Sequence, residues 1–284
     1  MPDDKRQPRC VLRQLKGSET SDGAGVRLRR YIASPELDML DPFLLLDVFR
    51  SDDPDDYIAG FPPHPHRGFE TVTYLLHGCM RHRDSAGHEG VIKSGGVQWM
   101  TAGRGIEHSE MPEQDQGLLY GFQLWVNLPA AKKMTAPNYQ ELEPDQIPVE
   151  INTQGIEIRV IAGTTNQGTV GAVTNIEAAP LFFDVSIQAG ETFQQHIPEG
   201  HNAFIYIIEG KLVIETTTVD SERLIVLTEG NSLQAKALDN SRIILVAGKP
   251  FNENVARYGP FVMNTEDELR DAFHDYNKGL FGKL

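Results

Sequence analysis

The chain has only two cysteines, Cys10 and Cys79, too far apart for any metal-binding spacing. With no disulfide framework, a reducing, cytoplasmic setting is expected. No stretch of about 20 apolar residues occurs, which excludes a membrane-spanning helix. The opening Met1-Pro2-Asp3-Asp4-Lys5-Arg6 lacks the apolar segment of a secretory signal. Basic residues are scarce: 26 Lys and Arg against 40 Asp and Glu give a formal net charge of −14 over 284 residues. Nonspecific nucleic-acid binding runs on Lys and Arg displacing counterions, so no direct nucleic-acid partner is expected. The short basic run Val26-Arg27-Leu28-Arg29-Arg30 alternates, as a strand with a solvated face does. Neither a Rossmann glycine fingerprint nor a P-loop occurs. A zinc deaminase needs Pro-Cys-x-x-Cys, which two distant cysteines cannot supply. His88-Glu89 lacks the second histidine of a His-Glu-x-x-His protease helix.

What is present is short strands. Gly (26) and Pro (17) break the chain every eight to twelve residues, and the runs between them have a two-residue period. Phe69 to Leu76, Leu118 to Leu128, Ile156/Ile158/Val160 and Phe183/Val185/Ile187 read as strands. Phe204 to Ile208 and Leu212 to Ile214 flank Glu209-Gly210-Lys211, which reads as a hairpin turn. This spacing predicts an all-β sandwich or barrel. One helix is expected, at the C-terminus. Thr265 and Glu268 form a capping box, Leu269, Ala272, Phe273 and Tyr276 share one face, and Gly279 ends it.

Pro129 to Glu150 is proline-rich, poor in apolar positions, and reads as a link between two halves. Tyr74-Leu-Leu-His-Gly78 matches Tyr206-Ile-Ile-Glu-Gly210 at an offset of 132, which also sets His64 over His196. An offset of 135 sets Gly95 and Gln98 over Gly230 and Leu233. The expectation is two copies of one β domain, with boundaries at 1–135 and 136–284.

Histidine is concentrated. Six of the nine (His64, His66, His77, His82, His88, His108) fall within 45 residues. In a strand, residues i and i+2 point to the same face, so His64 and His66 form one pair and His108 and Glu110 another. If those strands are neighbours, three imidazoles and a carboxylate converge, a donor set suited to a first-row transition metal with coordination positions left open. His77 belongs to a turn, and His82 and His88 to a loop. Glu70 could ligate, orient a ligand, or pair with an arginine. In the second half, Pro198 stands where His66 would, Asn202 where Glu70 would, and an offset of 132 to 135 from His108 lands on Asn240 to Ile243, with no imidazole. His201 is alone.

These residues resemble the cupin pattern, and more narrowly the pirin family. The likeness is carried by His64-Pro-His-Arg-Gly-Phe-Glu-Thr-Val-Thr-Tyr-Leu-Leu76, Gln98-Trp-Met-Thr-Ala-Gly-Arg-Gly-Ile106, His108-Ser-Glu-Met-Pro112, Gln123-Leu-Trp-Val-Asn-Leu128, Gly259-Pro-Phe-Val-Met-Asn-Thr265 and Phe281-Gly-Lys283. It implies two tandem cupin barrels of jelly-roll type with a short C-terminal helix, and metal in the N-terminal one alone. Its ligands carry over to His64, His66, His108 and Glu110, which makes Glu70 a supporting residue.

Two functions follow from the resemblance. The first is an oxidoreductase like quercetin 2,3-dioxygenase, opening a flavonol with O2. Glu110 would take the substrate proton as general base. The metal implied is Fe2+, although the donors accept Mn, Co, Ni, Cu or Zn as well. The second is an iron-binding, redox-sensitive regulator acting through a protein partner, as a transcriptional coregulator (nuclear, if the source is eukaryotic) or a modulator of a metabolic enzyme. The enzyme is the favoured reading, and a monomer is expected.

Overall fold

The computed structural model describes residues 6–281. The secretory-signal reading at Met1–Lys5 and the terminal Gly282-Lys283 of the family motif lie outside them. Among the described residues, no helix is long and apolar enough to cross a membrane.

The described chain is built of β-strands, with one α-helix at Glu266–Asn277. Thr265 and Glu268 cap that helix reciprocally, so two of its first N–H groups are satisfied by side chains. Two units separate. The histidine-bearing unit takes Ser18–Asp145 and the chain from Phe251 onward; the companion unit takes Gln146–Pro250 and the chain up to Gly17.

In the histidine-bearing unit, Phe69–His77 lies in a seven-stranded sheet between Val97–Thr101 and Leu119–Asn127. The facing four-stranded sheet runs Phe61–His66, Ile106–Pro112, Cys79–Asp84, Glu89–Lys93. The companion unit repeats this order. Asn202–Glu209 lies between Arg223–Leu227 and Ser241–Gly248, and its four-stranded sheet runs Thr192–His196, Ser232–Ala237, Lys211–Ile214, Thr217–Asp220. The expectation of two copies of one β domain is met strand for strand.

Four features differ from the sequence reading. First, Glu209-Gly210-Lys211 is no hairpin. The strands on either side belong to different sheets, as do those flanking Gly78. The shared motif is a corner where the chain crosses between sheets. Gly78 (φ 98°) and Gly210 (φ 86°) take a left-handed backbone there, which glycine adopts without strain. Second, the segment read as a link is structured. Asn138–Leu142 pairs with Val97–Thr101 as the edge of the histidine-bearing sheet; its mixed polar and half-buried side chains hid it.

Third, the offset of 135 misaligns the copies. Val97–Thr101 corresponds in topology to Arg223–Leu227, so Gln98 has no counterpart at Leu233. Fourth, a boundary at 135/136 does not describe the two units, because each takes a terminal segment from beyond it. Val11–Leu15 pairs with Arg223–Leu227, and Arg67 forms an ion pair with Asp275 of the helix at 2.9 Å. Backbone pairing and charge, both long-range, decide this.

The two interiors differ in their polar content. The companion unit is filled by alternating side chains such as Ile158, Val160, Val185, Ile205, Leu212 and Ile214, all 0–3% exposed. Each such burial contributes about 1.5–3 kcal/mol. At the offset of 132, Ile214 takes the place of His82. The histidine-bearing unit has an apolar cluster that includes Phe49, Leu75, Met80 and Ile92, and beside it buries polar side chains such as Thr73, His82, His108 and Glu110.

Candidate metal centre

Phe61–His66 carries prolines at 62, 63 and 65 and pairs with one neighbour only. An edge strand tolerates proline because nothing awaits its missing N–H on the outer side. On this strand His64 and His66 share a face. The neighbour is Ile106–Pro112, antiparallel, with His108 directly opposite His64 and Ile106 opposite His66. The register shifts between His108 and Glu110, and such bulges re-aim side chains.

This register gathers three imidazoles, as the spacing required. One nitrogen from each of His64, His66 and His108 lies within 4.8 Å of the others. The ring centroids are 4.5, 4.7 and 5.0 Å apart. His66 and His108 are each 2% exposed, and no ring nitrogen of either meets hydrogen-bond geometry. Buried polar atoms without partners cost about 1–3 kcal/mol each. A cation among the rings would satisfy one nitrogen of each. Burial, reinforced by neighbouring histidines, pushes both pKa values well below the ordinary range, so both rings are neutral lone-pair donors. Nδ1 of His64 lies 2.8 Å from the Pro62 carbonyl. With the proton on Nδ1 this is a donated hydrogen bond, and it leaves Nε2 free to ligate. These residues fit a transition metal.

Glu110 stands outside that 4.8 Å group, in the wall of the same cavity. Its carboxylate is 3% exposed. It accepts from the Thr73 hydroxyl at 2.8 Å and from the Gln123 amide at 3.4 Å, both on the opposite sheet. Glu70 accepts from Trp99 Nε1 at 3.1 Å and Thr101 Oγ1 at 2.8 Å, tying its strand to the neighbouring one.

His82 corrects the sequence reading. It is not in a loop but on Cys79–Asp84, opposite Glu110, 2% exposed, with Nε2 3.0 Å from Glu141. The alternation Met80, His82, both buried, carried that signal. His88 is exposed beside Asp84, and His77 is exposed at a strand end. In the companion unit His196 is exposed and pairs with Ser232. The counterpart of His108 is therefore Ser232, and not a residue of Asn240–Ile243.

The cavity beside the histidines has a volume of about 650 Å³. Leu28, Leu45, Phe49, Phe61 and Trp125 supply apolar wall. The Trp125 ring lies 5.1 Å from that of His66 and 4.4 Å from that of Phe69. Sequence reasoning missed Thr73, Gln123 and Trp125 as site residues, because only strand pairing shows what faces what.

A seven-stranded and a four-stranded antiparallel sheet, twice over, with three histidines gathered in one copy, make the chain a bicupin. The pirin profile matches residues 25–126, and that of the pirin C-terminal cupin domain matches 182–282. The chain belongs to the pirin family. It is 51% identical over 273 residues to a pirin-like protein of Caulobacter vibrioides, covering 96% of this chain and 99% of that one. Pirin of Homo sapiens is 42% identical over 281 residues, covering 96% and 93%. The crystal structure of a quercetin 2,3-dioxygenase from Acinetobacter baumannii matches with a TM-score of 0.89 at 35% identity, covering 98% of this chain and 99% of that one.

Proposed function

We propose that this pirin is a metal-dependent dioxygenase that opens flavonols such as quercetin with O2. One observation carries the reading. Three imidazoles converge, those of His66 and His108 with no hydrogen-bond partner for their nitrogens, and His64, His66 and the buried Glu110 line one largely apolar cavity. The likeness to the Acinetobacter quercetin 2,3-dioxygenase supports it.

His64, His66 and His108 would hold the metal, with Glu110 as fourth ligand and Fe2+ as the ion. When bound, that ion supplies Lewis acidity toward the flavonol oxygens. The chain does the rest. Trp125 and Phe61 give the planar substrate an apolar surface. Thr73 and Gln123 hold the Glu110 carboxylate in place, and Glu110 takes the substrate's hydroxyl proton. The cavity walls keep bulk water from the reacting ring.

The test is aerobic turnover of quercetin, followed by loss of flavonol absorbance, beside elemental analysis of the natively purified protein. Metal-dependent loss in the wild type and none in His64→Ala is expected; no metal-dependent loss in the wild type overturns the proposal. The likeness to human pirin supports a second reading, an iron-dependent regulator working through a protein partner. Equal partner recovery by ferrous and ferric protein would remove its redox-switch form.

A further inference from the structure

We propose that Arg257 makes this cavity a binding site for a planar aromatic acid, whose carboxylate docks on the guanidinium while its ring lies against Trp125. The inference deepens the reading of the cavity as a substrate site and rests on it.

Two arginines line the cavity, Arg30 and Arg257. Arg30 is already paired with two carboxylates. Its Nε and Nη2 donate to the two oxygens of Asp47 at 2.8 and 2.6 Å, and Nη2 also reaches Asp22 at 2.7 Å. The direct contacts of Arg257 are neutral, with Asp38, Asp47 and Asp22 acting on it only through longer-range charge. Nη1 donates to the Leu44 carbonyl at 2.9 Å, and the guanidinium carbon sits 4.9 Å from the Trp125 ring centre. Among the described residues no carboxylate forms an ion pair with it, and Asp47, the nearby buried acid, is already gripped through both oxygens by Arg30.

The Leu44 carbonyl and the Trp125 face fix the position of the fork and leave N–H donors unused. A half-buried cation without a direct ion-pair partner is costly to hold. Burial first, then the charge of Arg30, lower its pKa; the more distant Asp38, Asp47 and Asp22 offset part of that penalty, and a directly bound anion would relieve the rest. A guanidinium fork matches a carboxylate through two parallel hydrogen bonds and stacks on aromatic faces as well.

Distance from the histidines is set by one shared ring. Trp125 meets Arg257 and, at 5.1 Å, His66. An aromatic acid lying along Trp125 therefore reaches Arg257 with its carboxylate and the three-histidine cluster with oxygens at its other end. Quercetin has no carboxylate, so in this proposal it occupies the apolar wall and the histidine end without using Arg257.

Calorimetric titration of metal-free protein with benzoate and with benzyl alcohol, matched in size and differing in charge, tests the proposal. Benzoate is expected to bind at least about tenfold more tightly than benzyl alcohol to the wild type. Arg257→Gln is expected to lose about tenfold for benzoate and less than about twofold for the alcohol. A wild-type preference below about twofold overturns the proposal, and so does equal weakening of both probes by Arg257→Gln. If Arg257→Gln fails to fold, the wild-type ratio decides alone. Because the titration uses no metal and no turnover, failure of quercetin cleavage leaves its outcome unchanged, and the two readings fail separately.

Discussion

Lys133 donates an ammonium N–H to the carbonyl of Gly68 at 2.8 Å, two residues past His66. The same ammonium donates to Asn127 Oδ1 at 2.7 Å and to the Val262 carbonyl at 3.1 Å, and Lys133 is 1% exposed. One side chain thus joins the turn after the His66 strand to two other segments of the unit. Lys133→Met removes the ammonium from three acceptors, of which Asn127 Oδ1 keeps the Leu128 N–H at 3.0 Å. A loss of about 2–4 kcal/mol is expected, read as a lower urea midpoint; a change below about 0.5 kcal/mol would show that the clamp is dispensable.

Burial also pulls the Lys133 pKa down to about 8 from 10.5. The folded value lies below the unfolded one, so the unfolded chain binds more protons between them, and stability rises with pH in that window. The penalty for burying the charge is full below about 8 and fades as pH climbs toward 10.5. Denaturation midpoints across this range are expected to show an upward contribution in the wild type that Lys133→Met lacks. Parallel wild-type and variant profiles would contradict it.

Metal binding by the three histidines would trade off against stability of the metal-free protein. In metal-free protein, His108→Leu removes two unpartnered buried nitrogens, so it is expected to be neutral or stabilising. In the presence of nickel, the wild type gains about 2.7 kcal/mol at a hundredfold excess over its Kd, and the variant gains far less. Thermal unfolding with and without nickel measures both. A strongly destabilised metal-free variant would assign His108 a packing role.

Thr73→Val keeps shape and removes the donor to Glu110. Metal content is expected to stay at the wild-type level while quercetin kcat/KM falls about tenfold, a loss of about 1.4 kcal/mol in the transition state. Glu110→Gln is expected to lose about 100-fold or more in kcat. If Thr73→Val lost metal as well, its hydroxyl would matter for ligation and not for the proton.

At the crossover corner, a Cβ added to Gly210 would stand 2.6 Å from the Asn240 carbonyl and 2.7 Å from Ser241 Cα, on a φ of 86°. Gly210→Ala is expected to cost about 2 kcal/mol or more in the companion unit while metal binding persists. Unaltered unfolding would contradict it.

Much of the site was legible before any coordinates. His64/His66 and His108/Glu110 stand out because a two-residue spacing is the geometry of one strand face, and the structure gathers the three imidazoles and sets Glu110 in the wall of the adjoining cavity. The helix cap at Thr265 and Glu268 was legible for the same reason, since its contacts are local. Thr73, Gln123 and His82 were not. Each looks like an ordinary strand or loop residue until the register sets it opposite Glu110 or across the barrel from it. The corner at Gly210 passed for a hairpin because a turn's residues do not say which sheet the next strand joins. The pairing of Val11–Leu15 with Arg223–Leu227, more than 200 residues away, left no local trace either.

That the histidine-bearing unit includes the chain from Phe251 onward has a consequence for biosynthesis. Arg257, the Asp275 partner of Arg67 and the helix itself leave the ribosome only after Gln146–Pro250 has been made. At about 5–20 residues per second, the histidine cluster waits roughly 5–20 s, beyond the synthesis of its own strands, for the segment that completes its unit. The companion unit can close first, and the unit that carries the three histidines is completed after it.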